Sequence, residues 1–423
     1  MKKVIRIGKG RKVKVMRAQV LRTAPGGGEV ESLVEVIQAL IPLGLAAVEE
    51  ALGWEVRHLA GERYQRSGRP PGRARWGSQP GSVYLLDQKV PLQVPRVRDR
   101  LQGCEVPLGT YTRLQEPRQG DAGLLRRVLL GLSARRYREC AEAVPEAFGL
   151  SASTVSRRFI RASARKLQEL AERRLDRDDF VALFLDGKTF AEDELVLALG
   201  ITGRGEKVVL GFVQTATENE AVCAVFLETL VARGLRWEQG LLCVIDGAKG
   251  LRAALRRVFG STALVQRCQW HKREHIVRYL PKGQQALWRR KLQAAYESTT
   301  YAEAKTALGG LQRELRRVNL SAAQSLAEGL EETLTLHRLG LFPLLGQSFK
   351  TTNCIESLLA QVGQRTDKVD RWVTSEQKQR WVATALLDIE PRLRRVRGYR
   401  FLPQLRAALK AHQQERKQPQ EVA

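Results

Sequence analysis

The chain has 423 residues, 43% of them apolar, which is enough for two or three domains with at least one large core. Its 71 Lys and Arg outnumber 45 Asp and Glu, a net charge of +26 that favours a polyanionic partner, most simply nucleic acid, over a merely solubilising surface. Six scattered cysteines without paired spacing, no signal-peptide core after Met1-Lys2-Lys3 and no apolar run of membrane-spanning length argue against a disulfide-stapled secreted chain or a membrane helix, so a reducing cytosol is expected.

Residues 1–82 read as a basic arm, a helix and a linker. Lys2, Lys3, Arg6, Lys9, Arg11, Lys12 and Lys14 crowd the first 16 positions without an acid. Residues 29–53 place Val30, Leu33, Val34, Ile37 and Leu40 at helical spacing, an amphipathic helix suited to a core or a dimer contact. Arg57 to Gly81 is rich in Arg, Gly and Pro and is expected to be a flexible basic linker.

Residues 83–175 begin with a small hairpin, Tyr84 to Val94, with Pro91 and Pro95 marking its edges. Three helices are expected next, Gly120–Leu132, Tyr137–Phe148 and Ser151–Leu170, in a pattern that fits a helix-turn-helix. Ser153 and Thr154 at the start of the last helix are small enough to approach base edges, and Arg157, Arg158 and Arg161 reach phosphates or guanine. Any trihelical bundle with a glycine turn looks similar, so a purely structural role stays open.

From residue 181 the texture changes, within a core whose first part is expected over residues 176–271. Residues 181–186, 195–201 and 207–213 are strand-like, 220–233 helical, 241–246 a fourth strand, 251–258 a helix and 263–265 a fifth strand. Three strands, helix, strand, helix, strand is the order of an α/β, RNase H-like core. Residues 272–345 are helical in pattern and read as an all-α insertion; the core resumes over 346–390 with a helix beginning TTNCIES, and 391–423 reads as a basic tail.

Asp186 ends the first of these strands and Asp246 the fourth, while Glu356 lies one turn into the later helix. Carboxylates gathered at one point bind Mg²⁺ or Mn²⁺ through oxygen, and two ions about 3.5–4 Å apart can activate water and stabilise a leaving 3′ oxygen. Each acid alone is as well explained by helix capping; together, in this strand order, they favour a metal site. Lys188 and Lys249, each near one of these aspartates, are candidate phosphate contacts, with an exposed surface as the alternative. Cys268, His271 and His275 invite a zinc reading, but no fourth ligand is evident. Trp270 and Trp288 offer base-stacking surfaces or core packing.

The run Asp246-Gly247-Ala248-Lys249-Gly250-Leu251, followed by Gln266-Arg267-Cys268 and His271, resembles the signature of the Mutator-type insertion-sequence transposases of bacteria. Thr352-Asn353-Cys354-Ile355-Glu356-Ser357 is similar to that family's motif around its catalytic glutamate, and LFLDGKTF to the segment of its first aspartate. Val94-Pro95-Arg96 and Arg98-Asp99-Arg100 resemble its N-terminal hairpin, so the likeness runs from about residue 85 to 385. Glu274-His275 stands where Arg-Asn is common, and FAEDE at 190–194 replaces a more basic segment. The resemblance implies a DDE triad of Asp186, Asp246 and Glu356, with Cys268, His271 and Asn353 supporting the site. It further implies Mg²⁺-dependent cleavage and strand transfer at terminal inverted repeats, a dimer or larger assembly on DNA, and a cytoplasmic protein at the nucleoid. A DNA-binding regulator without catalysis and an RNase H-like nuclease without strand transfer are the alternatives.

Overall fold

The computed structural model describes residues 4–7, 11–14, 27–65, 70–85, 88–116, 118–140, 148–216 and 219–417. Its backbone divides into two compact units, residues 1–162 and 163–423.

In the first unit β1 (Val4–Ile7) and β2 (Arg11–Lys14) pair antiparallel, so the described part of the basic arm is a strand pair; Lys2, Lys3 and Lys9 lie outside the described residues. Helix α1 (Gly27–Ala60) outlasts its sequence-expected end. Val48, Leu52, Val56 and Ala60 recur every fourth residue and pack on Val83, Leu92, Val94 and Val97. Those valines and leucines belong to an antiparallel hairpin, β3 (Arg73–Leu85) and β4 (Gln88–Asp99), with β5 (Glu105–Val106) along β4. The expected linker is therefore corrected over 73–81, where it is strand. Its arginine and glycine content signalled solvation, but β4 supplies the backbone partners that composition cannot reveal. The hairpin is also longer than 84–94, and Pro91 and Pro95 sit within β4.

Glu55 anchors the next element by accepting from the backbone N–H of Gly109 at 2.6 Å and Thr110 at 3.0 Å, at the start of α2 (Gly109–Leu114). These hydrogen bonds, set against the cost of burial, hold its carboxyl below the usual range. Helix α3 (Arg118–Leu129) and α4 (Ala152–Ala171) match the first and third expected helices. Between them only a 3₁₀ turn, Tyr137–Cys140, is described; residues 141–147 lie outside the described residues.

The second unit is a mixed α/β fold. Its sheet runs β10 (Ala263–Arg267), β9 (Leu241–Ile245), β6 (Phe180–Phe190), β7 (Asp193–Thr202), β8 (Lys207–Thr215). Strand β7 is antiparallel to β6 and β8, whereas β6, β9 and β10 are parallel to one another. Helices α5 (Glu220–Ala232) and α6 (Lys249–Phe259) cover one sheet face, burying Leu227, Leu230, Leu251 and Leu255 against Leu183, Leu185 and Val196. Each such side chain contributes roughly 1.5–3 kcal/mol.

Seven helices follow β10: α7 (Gln269–Arg278), α8 (Lys282–Tyr296), α9 (Tyr301–Val318), α10 (Leu320–Ala327), α11 (Leu330–Thr333), α12 (Thr335–Arg338) and α13 (Phe342–Phe349). Most of this block has its own core, in which Trp288, Leu292, Leu308 and Leu326 are buried. The chain then returns with α14 (Asn353–Thr366), which packs on β6, and α15 (Ser375–Ile389). Residues 391–417 are no tail. Helix α16 (Leu402–Lys417) buries Leu402, Leu405 and Leu409, and Arg406 clamps Asp179 at 2.6 Å and the Gly240 carbonyl at 2.6 Å.

Candidate active site

Parallel register pairs Leu185 of β6 with Ile245 of β9, so Asp186 and Asp246 follow at the same end of neighbouring strands. Asp186 is buried, and by strand alternation it shares a face with Phe184, whose ring stacks on Phe349 at 5.5 Å. Asp246 accepts from the Ala248 N–H at 2.9 Å through Oδ1, which fixes its carboxylate in the turn. It is not the helix cap, because α6 takes Ala248 as its N-cap without a side-chain bond. Gly247 between them has φ +109°, and a Cβ there would meet Arg267 Nε at 2.1 Å, so only glycine serves.

Glu356 sits in the first turn of α14. No capping box forms; instead the Thr352 hydroxyl donates to Glu356 Oε1. The Thr352 backbone N–H donates to Cys268 Sγ at 3.4 Å, and its hydroxyl oxygen lies 3.3 Å from His271 Nδ1. His271 Nδ1 is 3.9 Å from Glu356 Oε1. Cys268 in turn donates its N–H to the Ile245 carbonyl at 2.7 Å, one residue before Asp246. One buried cysteine thus joins the end of β9 to the start of α14.

The electrostatics follow from this crowding. Burial lowers the His271 pKa, but the Cys268 thiol, Glu356 and Asp246 outweigh it and raise the imidazole to about 9. Burial raises the Cys268 pKa, yet hydrogen bonds to His271 and Thr352 hold the thiol below its ordinary range. Among the described residues, Cys268, His271 and Glu356 form the group whose potential ligand atoms lie within 4.8 Å of one another. His275 does not join it; burial and nearby cations depress its pKa.

The signature around Cys268 is a structural joint. Gln266 is fully buried, donating to the Thr333 carbonyl at 2.9 Å and accepting from the Leu336 N–H at 3.0 Å. Gln269 donates to the same Thr333 carbonyl at 2.9 Å. Arg267 runs between Gly247 and Gly329, where added Cβ atoms would meet it at 2.1 and 2.5 Å. Lys272 is buried and donates to the Glu328 carbonyl; burial first, then Arg267, brings its pKa down to about 8. The sequence alone gives Gln266 and Arg267 no role and Thr352 only that of a helix cap, since their partners lie 61 to 84 positions away.

The other candidates divide. Lys188 and Lys249 are exposed, and Asn353 is exposed at the first residue of α14, with no hydrogen bond to the carboxylates among the described residues. In the first unit Arg157 and Arg161 are exposed on α4. Arg158 is corrected: it is buried, its guanidinium over the Tyr84 ring at 5.5 Å, and cannot meet a nucleic acid there. Ser153 and Thr154 join the cap of α4, with Ser151 Oγ donating to Thr154 Oγ1 at 2.8 Å. Trp288 is core, whereas Trp270 stays exposed, edge-on to His271 at 4.9 Å.

The family model described as "Transposase, Mutator family" matches residues 29–394, and the chain belongs to that family. Its members are transposases, proteins that act on DNA. Among relatives, the transposase of insertion sequence element IS905 from Lactococcus lactis is 26% identical over 356 residues, covering 81% of this chain and 86% of the relative. That of IS256 in transposon Tn4001 from Staphylococcus aureus is 26% identical over 316 residues, 70% of this chain and 76% of the relative. That of IST2 from Acidithiobacillus ferrooxidans is 32% identical over 181 residues, 43% and 60%. Among the described residues no helix is long and apolar enough to cross a membrane.

Proposed function

We propose that the chain is a DDE-type transposase, with an RNase H-like core in its second unit and a DNA-binding helical region around α3 and α4. The observation that carries this reading is the adjacency of Asp186 and Asp246 at one end of parallel neighbours β6 and β9. Glu356 is tied towards that end through Thr352, His271 and Cys268. The strand order, with a helical block between β10 and α14, supports the fold assignment.

The donor set suits a hard cation. It is all carboxylate oxygen, and among the described residues no Lys or Arg closes an ion pair with Asp246 or Glu356. When bound, Mg²⁺ or Mn²⁺ supplies Lewis-acid polarisation of the phosphoryl group and an acidified water. The chain's own part is to hold the carboxylates still. Thr352 and Ala248 each fix one carboxylate oxygen, which limits the reorganisation needed as charge develops.

Water attacks the phosphodiester at the element's end and frees a 3′ hydroxyl, which then attacks a target phosphodiester and displaces that phosphate's 3′ oxygen; no protein nucleophile takes part. Arg157 and Arg161, with Ser153 and Thr154 beside them, hold the terminal inverted repeats, and Lys188 and Lys249 hold phosphates nearer the reacting bond. Pairing of two ends calls for at least a dimer on DNA. The setting that fits this is the bacterial cytoplasm, at the nucleoid.

The test is incubation with Mg²⁺, labelled element-end duplex and a target plasmid. Joined products support the proposal, cleavage without joining makes the protein a nuclease, and binding alone makes it a regulator. Asp246→Asn is expected to lower cleavage on the order of 10³-fold or more and to leave DNA binding nearly unchanged. Undiminished cleavage by that variant removes Asp246 from the site.

A further inference from the structure

A cavity of about 300 Å³ lies beside the carboxylates, between β6 and α14. Its volume is at the lower end for sites that take one small ligand. Asp186, Lys188 and Phe190 alternate along β6 and so share a sheet face; Lys188 and Phe190 line the cavity. Lys188 therefore stands about 7 Å along the strand from Asp186. On α14, Leu359 and Gly363 follow Glu356 by three and seven residues, on the same side of the helix, and both line the cavity. The two elements that carry carboxylates of the proposed triad thus also build this cavity, a further turn or two along.

Its chemistry is mixed in a particular way. Leu359 is buried and apolar, Phe190 and Trp372 supply aromatic surface with ring centroids 5.1 Å apart, and Lys188 and Asp367 are exposed charges at the cavity. The aromatic wall is held in place. Trp372 packs edge-on to Trp381 at 6.1 Å, and Lys378 pairs with Asp193 at 2.6 Å just past the β6–β7 turn. Ala191 in that turn also lines the cavity and has φ +54°, a left-handed conformation costly for an alanine.

We propose that this cavity receives a single unpaired nucleobase from DNA next to the reacting phosphodiester. The proposal rests on the transposase reading above. A flat aromatic face suits a base, a lysine suits the phosphate attached to it, and a carboxylate suits the base's N–H donors.

The experiment uses the full chain and a duplex copied from the DNA flanking its coding sequence, with 2-aminopurine placed in turn at each position around the cut. A base leaving the stack is expected to raise fluorescence several-fold at one position, without divalent cation and before any cleavage. Gly363→Leu is the decisive variant. The glycine is helical, and its nearest neighbours beyond the helix backbone are the Asp367 carboxylate and Lys188 Nζ at 3.6 Å, so leucine fills the cavity without opposing the fold. It is expected to abolish the fluorescence rise and to slow cleavage about 10-fold or more, with unchanged thermal midpoint and duplex affinity. Trp372→Ala should act in the same direction. No rise at any position, or a rise that survives Gly363→Leu, overturns the proposal. Failure of the parent chain to cleave with Mg²⁺ overturns the transposase reading instead, and the fluorescence result still decides whether the cavity takes a base.

Discussion

At the scale of single residues, His271 is where pH should register. Its folded pKa, raised to about 9 by Cys268, Glu356 and Asp246 against the opposing effect of burial, lies above the unfolded value of 6.5. The protonated ring's contribution is therefore complete below about 6.5 and is lost as pH rises through about 9. Without divalent cation, the gap in thermal midpoint between the parent chain and His271→Asn should be widest near pH 6 and nearly closed by about pH 9.5. A gap that ignores pH would mean that the ring acts by packing alone. The acids of this site were legible in sequence because each ends a strongly apolar run or opens a helix. Thr352 was not, since a threonine beside a helix start reads as a cap until Cys268 and Glu356 are seen on either side of it.

At the scale of elements, the run from Gln266 to Lys272 fastens sheet, helical block and α14 to one another. Gln266→Leu leaves the Leu336 N–H buried without its acceptor, while the Thr333 carbonyl keeps Gln269. A loss of about 1–3 kcal/mol is expected in urea unfolding; a neutral result would show that the joint relaxes around the change. The strands of the second unit were legible because their cores are unbroken apolar runs buried on both faces. Arg73–Leu85 was legible only at its end, because four of its first six residues are arginine, glycine or serine and its backbone partners lie on β4. Helix α16 did carry a signal, Leu402, Leu405 and Leu409 at helical spacing, which the surrounding charge obscured.

At the scale of the molecule, a net charge of +26 makes salt the simplest probe of the DNA contact. Neutralising about 6–10 phosphates predicts a roughly 10³- to 10⁵-fold loss of affinity between about 50 and 200 mM salt, read by fluorescence anisotropy on a duplex. A flat response would mean that the charge is not spent on phosphates. The bond from Thr352 to Cys268 closes a span of 84 residues, and nearly all of that span is the helical block. Contacts so distant along the chain form late and slowly. A chain still being made, or one stopped before α14, already carries its exposed arginines and both aspartates but lacks Glu356. On the proposed mechanism it could occupy an element's end without cutting it, so the order of synthesis itself would delay catalysis until nearly all of the protein exists.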